Sequence, residues 1–330
     1  MRRAMWGGLL AAAWLLMPQV ASAAADPCSD FGTRLASFAH AERIVGLACQ
    51  ESTLWHRPFI DDAGRFAGGR VMEAESALLA DGVTPAWQRV AAYWRHGRAL
   101  SPMSGLPGAT DCMMGATDWM RASSCRAFVL DRPWSAAFVS FVMARAGVPG
   151  FALSASHADY VRAAYREPDR GPYRSADPFA TPAAAGDLLC FVRRDDRAYG
   201  HAGLAAFFAS GQGDGGLEMH CDIVVGAGAQ LVLVGGNVMH GVTLRSLPLN
   251  GAGLPWNWPL RSGPAGRCSP DAPEACNLNR QDWAVLLKLK ALPPATTPMP
   301  TLPTAATAQP ACCTACVVGA VPAIPRCPKP

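Results

Sequence analysis

The sequence predicts an α+β fold in which helices come first and an antiparallel sheet follows. From Asp30 to about Arg98, apolar residues recur at steps of three and four, which is the period of an amphipathic helix. Beyond Asp187 the period changes to two and β-favouring residues dominate. The 330 residues are 50% hydrophobic and 16% charged, a composition typical of a globular chain rather than a disordered one.

The first 25 residues have the layout of a signal peptide. Arg2 and Arg3 precede an apolar run from Trp6 to Met17, and small residues follow at 21–25. The run is too short to cross a membrane comfortably, and no later stretch is long and apolar enough to do so. We therefore expect export to the periplasm or the extracellular space, and no membrane span in the mature chain.

The charge distribution argues against nucleic acid as a partner. The formal net charge of +4 is accounted for by Arg2 and Arg3 in the leader and by Arg326 and Lys329 near the C-terminus. The chain between them is neutral overall. It therefore lacks the basic excess that nucleic-acid binding requires.

Twelve cysteines in an exported chain are typical of an oxidising compartment. Three pairs are candidates for disulfides: Cys112 with Cys125, Cys268 with Cys276, and Cys28 with Cys49. The first two would each close a short loop rich in Gly, Pro and Ser. Cys190 and Cys221 fall inside predicted strands, where two buried thiols and a cross-strand bridge are both open.

The pattern divides the chain into successive segments. Residues 26–86 read as a helical segment packed ahead of the main domain, residues 99–127 as a loop, and Pro133 to Ala146 as a helix stopped by Gly147. The strands are predicted at Leu188 to Val192, Cys221 to Val225, Gln230 to Val234 and Val242 to Leu247, with a hairpin turn at 226–229. Residues 263–290 read as a cysteine-containing loop and a short helix.

The last segment, 291–330, is rich in Pro, Thr and Ala and is expected to be a flexible tail. Its four cysteines, Cys312, Cys313, Cys316 and Cys327, hint at a metal knuckle. The spacing lacks a matched second half and a histidine, so stray or intermolecular disulfides are the more ordinary interpretation. The tail is also where a protein partner could attach.

Ser135 is the first candidate for chemistry, because it lies in the first turn of the helix that follows Pro133. It shares a helix face with Val139 and Val142, so it is expected to point inward. A nucleophile at a helix N-terminus gains from the positive end of the dipole and from free amides that can hold an oxyanion. The alternative is a serine that only helps to cap the helix.

His220 and Asn237 are the second candidates. Centring the hairpin on 226–229 places His220 opposite Gly235, with Asn237 as a diagonal neighbour about 7–8 Å away. An asparagine oxygen there could accept from one imidazole nitrogen and leave the other free as a base. Asp222 is expected on the opposite sheet face. The alternative is a structural His and Asn, because hairpin ends collect both residue types.

These residues belong to a series of motifs: Pro133-Trp134-Ser135-Ala136-Ala137-Phe138, Ser156-His157-Ala158-Asp159-Tyr160, Gly186-Asp187-Leu188-Leu189-Cys190, His220-Cys221-Asp222-Ile223-Val224-Val225 and Gly235-Gly236-Asn237-Val238. Their order resembles the CHAP and NlpC-type cell-wall amidohydrolases and peptidases of the papain-like fold. More narrowly, the chain resembles the bacterial domain of unknown function 2272, over roughly Trp87 to Trp256. On this resemblance the main domain is assigned to 87–262.

The resemblance implies a papain-like domain with Ser135 as nucleophile, His220 as general base and Asn237 as the orienting residue. It further implies that Trp134, His157 and Tyr160 line a substrate cleft. The substrate class would be peptide or amide bonds of peptidoglycan or muropeptides, without a metal or an organic cofactor. His201, in a segment that imitates the NlpC-type His motif, is the second choice of base.

The wider superfamily has cysteine where this chain has Ser135, and a serine hydroxyl must lose its proton in the transition state. Two functions are therefore carried forward. One is an exported hydrolase that acts through an acyl-enzyme. The other is a catalytically silent module that binds wall peptides or a protein. An esterase or lipase is disfavoured, because the chain lacks a Gly-x-Ser-x-Gly elbow around Ser135.

Overall fold

The computed structural model describes residues 26–115, 118–194, 198–211, 217–261 and 266–299. The predicted signal peptide and the four cysteines of the tail lie outside these ranges. The described helices are α1 (Phe31–Ala36), α2 (His40–Leu54), α3 (Ala86–His96), α4 (Ala109–Met113), α5 (Trp119–Asp131), α6 (Ser135–Ala146), α7 (His157–Arg166) and α8 (Gly200–Ala209). The strands are β1 (Phe59–Ile60), β2 (Phe66–Ala67), β3 (Tyr173–Ala176), β4 (Leu188–Val192), β5 (Met219–Ala227), β6 (Gln230–Val238), β7 (Gly241–Pro248) and β8 (Asp282–Leu289).

The eight described strands form one sheet in the order β2-β1-β7-β6-β5-β4-β8-β3. Each pairing between neighbouring strands is antiparallel except that of β1 with β7, which is parallel. The result is a mixed α/β architecture. It agrees with the predicted combination of helices and a largely antiparallel sheet, although β1 and β2 precede α3–α7 and α8 lies between β4 and β5.

The sheet is covered on both faces. The larger core lies on the face toward the helices, where α2 packs on α6 and α6 packs on β5 and β6. A smaller apolar cluster covers the other face and includes Phe191, Trp258 and Trp283. The central strand β4 is buried along its whole length, which explains its continuous apolar sequence.

The elements predicted around the site are confirmed. Helix α6 begins two residues after Pro133 and ends where Gly147 takes a left-handed conformation (φ 70°). The four predicted strands lie within β4, β5, β6 and β7.

The interpretation of 99–127 as a loop is wrong, because α4 and part of α5 lie there. The composition of this segment, rich in Gly, Ser, Met and Pro, concealed the two helices. They approach closely at Gly108, where a Cβ would come within 2.1 Å of the Ser124 carbonyl oxygen. The disulfide between Cys112 and Cys125 joins them.

Two predicted boundaries also differ from the structure. The domain does not end at 262, because β8 lies inside the sheet between β4 and β3. An apolar run of this length is ambiguous between helix and strand by periodicity alone, which is why a short helix was predicted. The segment 26–86 is not separate, because α2 packs on α6 and β1 extends the sheet.

The start of the predicted flexible tail is also docked. The Thr297 carbonyl accepts from Arg43 at 2.7 Å, and the Ala295 amide donates to the Phe38 carbonyl at 2.8 Å. The segment therefore packs against the N-terminal helices as far as these residues.

Four disulfides are present among the described residues. The three predicted pairs, Cys28–Cys49, Cys112–Cys125 and Cys268–Cys276, are confirmed. Cys190–Cys221 is a cross-strand bridge between β4 and β5, which decides the alternative left open by the sequence. Disulfides at this number are typical of an oxidising, exported environment.

Within the described ranges, none of the helices is by itself both long and apolar enough to cross a membrane. Taken together, α5 and α6 have the length and apolar composition of a membrane span, but the pair is bent by 104°.

Candidate functional site

Ser135 is the first residue of α6, and its side chain points into the protein as predicted. The residue is only 4% exposed. Its Oγ lies 2.6 Å from Nε2 of His157, the first residue of α7. The first amides of a helix have no intrahelical partner, so Ser135 combines a histidine contact with nearby free N–H groups.

The contact between Ser135 and His157 depends on how the chain enters α7. Ser140, five residues further along α6, donates its hydroxyl to the Ser154 carbonyl at 2.8 Å and accepts from the Ser154 amide at 2.9 Å. The side chain of Ser140 is fully buried. These two bonds fix the segment just before His157 against the helix that carries Ser135.

The second ring nitrogen of His157, Nδ1, is hydrogen-bonded to the Tyr160 hydroxyl one turn along α7. Burial lowers the pKa of His157 well below its usual value, and the neighbouring His220 and Arg193 lower it further. The ring is therefore neutral at pH 7. If Nδ1 carries the proton and donates it to Tyr160, then Nε2 can accept the hydroxyl proton of Ser135.

A second histidine, His220, lies on β5 with its ring centroid 5.0 Å from that of His157. Its Nε2 is 2.7 Å from Oδ1 of Asp222, and its Nδ1 is 3.2 Å from Nη2 of Arg193. A guanidinium only donates, so Nδ1 accepts and Nε2 carries the proton. The ring is neutral and oriented by a carboxylate, and burial lowers its pKa.

The placement of Asp222 differs from the prediction. Residues two apart on a strand point to the same face, so Asp222 lies beside His220 and not on the opposite face. The pairing Ile223 with Val234 also shifts the hairpin from the predicted register, because the turn lies at 228–229. As a result Asp222, and not His220, lies next to Gly235.

The Asp222 carboxylate is fully buried and held by several donors. Its Oδ2 accepts from Nε of Arg245 at 3.1 Å, and Arg245 also donates to the Asn279 side chain at 2.9 Å. Burial opposes ionisation, but His220 and Arg245 outweigh it and lower the pKa of Asp222. Gly235 leaves the space for this carboxylate, because a Cβ there would be 2.0 Å from Oδ1.

A cleft of about 350 Å³ opens on His220. Its walls come from the ends of the central strands and from the chain that precedes β8. The described lining residues are Ile60, Phe191, Arg193, His220, Asn237, Val238, Met239, Arg245, Arg261, Gly266, Ala275, Asn277, Leu278, Arg280 and Gln281. Ser135 and His157 are not among them, so they lie behind His220 as seen from the cleft.

Of the predicted site residues, the structure brings together Ser135, His157, Tyr160 and His220, which with Asp222 are here called the cluster. Asn237 lines the cleft but does not orient His220, whose two nitrogens are taken by Asp222 and Arg193. It has a left-handed backbone (φ 55°), at a register shift between Gly236 and Val238. His157 and Tyr160 are buried in the cluster instead of lining the cleft.

Two further placements differ from the predictions. Trp134 does not line the cleft, because it is fully buried and stacks on Trp55 and Tyr93 with centroids 5.8 and 5.4 Å apart. This aromatic cluster holds the start of α6 from behind. His201 lies on α8, where its Nδ1 is 3.0 Å from the Ala284 carbonyl, so it belongs to helix packing rather than to this cluster.

The sequence reasoning missed Asp222 as the partner of His220. The alternation of side chains along a strand would have found it, because residues 220 and 222 share a face. It also missed His157 as the partner of Ser135. The spacing within the chain does not show that α7 packs beside the start of α6.

The chain matches one family in a comparison with known protein families. The family described as "Uncharacterized protein conserved in bacteria (DUF2272)" matches residues 81–289, which is more than half of the chain. The chain belongs to this family. The DUF2272 match contains Ser135, His157, His220 and Asp222, and it extends through β8, in agreement with the domain end in the structure. No curated protein and no solved structure matches the chain significantly.

The site does not include a recognisable metal centre. Across the described ranges, no group of three or more His, Cys, Asp or Glu side chains has a geometry that could hold a metal ion. The side chains of the cluster can transfer protons and form hydrogen bonds.

Proposed function

We propose that this DUF2272 protein is an exported hydrolase of amide or peptide bonds in cell-wall peptidoglycan, with Ser135 as nucleophile and His157 as its base. The observation that carries the proposal is the 2.6 Å contact between Ser135 Oγ and His157 Nε2 at the start of a helix. A hydroxyl and an imidazole in contact, with a third group on the other ring nitrogen, are the elements of an activated nucleophile.

The reaction would follow from this geometry. His157 Nε2 takes the hydroxyl proton as Oγ bonds to the acyl carbon, and the oxyanion is held by amides of the first turn of α6. The C–N bond then breaks, and His157 gives its proton to the leaving amine. Water hydrolyses the acyl-enzyme by the same steps in reverse, which restores Ser135 and releases a carboxylate.

The second histidine would support the charge that develops during the reaction. His157 becomes an imidazolium in a buried site, which is costly without a nearby anion. The ionised Asp222 lies just beyond the His220 ring, whose centroid is 5.0 Å from that of His157. The assignment of the base therefore changes from His220 to His157, and His220 with Asp222 acts beside it.

The substrate class rests on the resemblance to CHAP and NlpC-type enzymes and to the papain-like fold. Ser135 lies at the start of a helix, as the resemblance implies, but the histidine that it contacts lies on helix α7, and the sheet histidine His220 lies beside that ring. The oxidising environment indicated by four disulfides also suits a protein that acts on the cell wall.

One observation favours a second function, a catalytically silent module that binds wall peptides. Ser135 is 4% exposed and does not line the cleft, so a substrate must open a path past His220 before it reaches Oγ. A binding module needs no such opening.

Digestion of purified muropeptides by the mature protein tests the proposal. We expect new amine and carboxylate ends by mass spectrometry, and their loss in Ser135→Ala and His157→Gln. Ser104→Ala, a change at an exposed serine outside the cluster, is the matched control and should keep full turnover. Equal turnover of Ser135→Ala and the wild type would overturn the assignment. Muropeptide binding without product would favour the silent module.

A further inference from the structure

The charged side chains that line the cleft beside the cluster are all basic. Four arginines and one histidine line it, and none of its described lining residues is Asp or Glu. Asn237, Asn277 and Gln281 add amide groups that can donate hydrogen bonds. A concave site with one sign of charge concentrates ligands of the opposite sign.

Among the described residues, one of these four guanidinium groups forms an ion pair with a carboxylate. Arg245 is paired with the Asp222 carboxylate and also donates to the Leu278 carbonyl at 2.6 Å. Its charge is therefore balanced within the fold.

Arg261 is different, although it too is buried. Its two terminal nitrogens donate to the neutral carbonyls of Arg193 and Val192, at 2.8 and 2.6 Å. Its Nε is buried and has no hydrogen-bond partner. No carboxylate in the described part of the chain lies within ion-pair distance of it, so among these residues the buried positive charge that faces the cleft has no counter-ion.

The other two arginines are placed to meet a ligand directly. Arg193 is exposed at the cleft wall, and among the described residues its side chain forms a hydrogen bond to His220, with Glu218 and Asp222 near enough to interact with its charge. Arg280 is half-buried, and no described residue forms an ion pair with its guanidinium. Guanidinium groups bind carboxylates in a bidentate, charge-assisted geometry.

We propose that this cleft binds the carboxylate groups of an acidic peptide, with Arg193 and Arg280 as the residues that contact the ligand. The inference rests on the proposed function, because it specifies which part of a wall peptide the hydrolase holds. A cleft of about 350 Å³ accommodates a few residues of such a peptide. The neutral charge of the chain outside the leader and the C-terminal residues argues against a polyanion.

Isothermal titration of the mature protein carrying Ser135→Ala tests this proposal without turnover. The probe is a muropeptide stem tripeptide with free carboxylates, and its comparison is the same tripeptide with the carboxylates amidated. We expect the acid form to bind at least about tenfold more tightly, the effect of losing one charged hydrogen bond. Arg280→Gln and Arg193→Gln should each remove roughly that tenfold preference.

Arg174→Gln is the matched control, because Arg174 is exposed on β3 at the far edge of the sheet and its loss changes the net charge equally. It should leave binding unchanged. Because Arg280 does not contact His220, weaker binding in Arg280→Gln reports the loss of a ligand contact and not a change in the cluster. Equal affinity for the two tripeptides, or inorganic phosphate that binds as tightly as the acid form, would overturn the proposal.

The failure of this proposal and the failure of the proposed function are distinguishable. Selective binding of the acid form by a wild-type protein that releases no product supports the carboxylate site and refutes the hydrolase. Turnover that is equal for acid and amidated muropeptides refutes the carboxylate site and keeps the hydrolase.

Discussion

Replacing Gly235 by alanine should disrupt the hydrogen bonds that the Asp222 carboxylate forms with His220 and Arg245. The backbone φ of Gly235 is not in the left-handed region, so alanine meets no conformational strain there. A Cβ, however, would lie 2.0 Å from Oδ1 of Asp222, and the carboxylate would have to move by at least about 1 Å. That displacement carries the 2.7 Å bond to His220 beyond hydrogen-bond distance.

The cost can be worked out from the bonds that are lost. Asp222 forms charge-assisted bonds with His220 and Arg245 in a fully buried site, and breaking such a pair costs about 3–5 kcal/mol. For a domain of this size, that corresponds to a decrease in Tm of roughly 6–20 °C. Gly235→Ala should therefore be severely destabilised.

Gly228→Ala is the matched control, because it lies in the turn after β5 and a Cβ there meets no atom within 4 Å. Thermal unfolding followed by circular dichroism measures both variants. The His220 Nε2–H resonance by NMR should be protected in the wild type and in Gly228→Ala, and lost in Gly235→Ala. A Tm for Gly235→Ala within about 2 °C of the control would refute the placement of Asp222 over Gly235.

Three more predictions follow from the same geometry. The pKa values of His157 and His220 are lowered in the folded state, so the unfolded chain binds more protons than the folded chain below about pH 6.5. The free energy of unfolding therefore decreases as the pH falls, by at most about 1.4 kcal/mol per pH unit for each histidine. Urea unfolding at pH 7, 6 and 5 should show this loss, reduced in His157→Gln, and a flat profile would contradict the buried neutral rings. Replacing Cys190 and Cys221 together by alanine should lower the free energy of unfolding by about 3–4 kcal/mol, since their bridge spans a sequence separation of 31 residues and links β4 to β5. An unchanged urea midpoint under non-reducing conditions would refute that contribution. In the presence of muropeptide, which is expected to open the path to residue 135, the thiol of Ser135→Cys should react with iodoacetamide faster than a free thiol at pH 7. The reason is that the helix N-terminus and His157 favour the thiolate. A Ser135→Cys thiol that reacts no faster than a free thiol under these conditions would show that the position is not activated.

The sequence predicted the elements that carry the site better than it predicted their contacts. The helix at Ser135 and the strands at His220 and Asn237 are local features, set by Pro133, Gly147 and period-two alternation, and these were confirmed. The partner of Ser135 was not predictable in this way. His157 reaches it because Ser140 fixes the start of α7 through two hydrogen bonds, a tertiary contact with no signature in the spacing.

Register was the second limit of the sequence analysis. A hairpin turn displaced toward 228–229 and an irregularity between Val224 and Gly226 moved Asp222 next to Gly235. Asn237 does not orient His220 for a different reason, because Asp222 and Arg193 already take both ring nitrogens of that histidine. The run at 282–289 was ambiguous for another reason, because a strand buried on both faces and a buried helix have similar composition.

The proposed hydrolase depends on the activation of Ser135 by His157. Reaction of the mature protein with a fluorophosphonate probe, followed by peptide mass spectrometry, tests it most directly. We expect an adduct on Ser135 that is absent in Ser135→Ala and strongly reduced in His157→Gln, with Ser104→Ala labelled like the wild type. A folded wild-type protein with no adduct on Ser135, or labelling that is equal in His157→Gln, would contradict it.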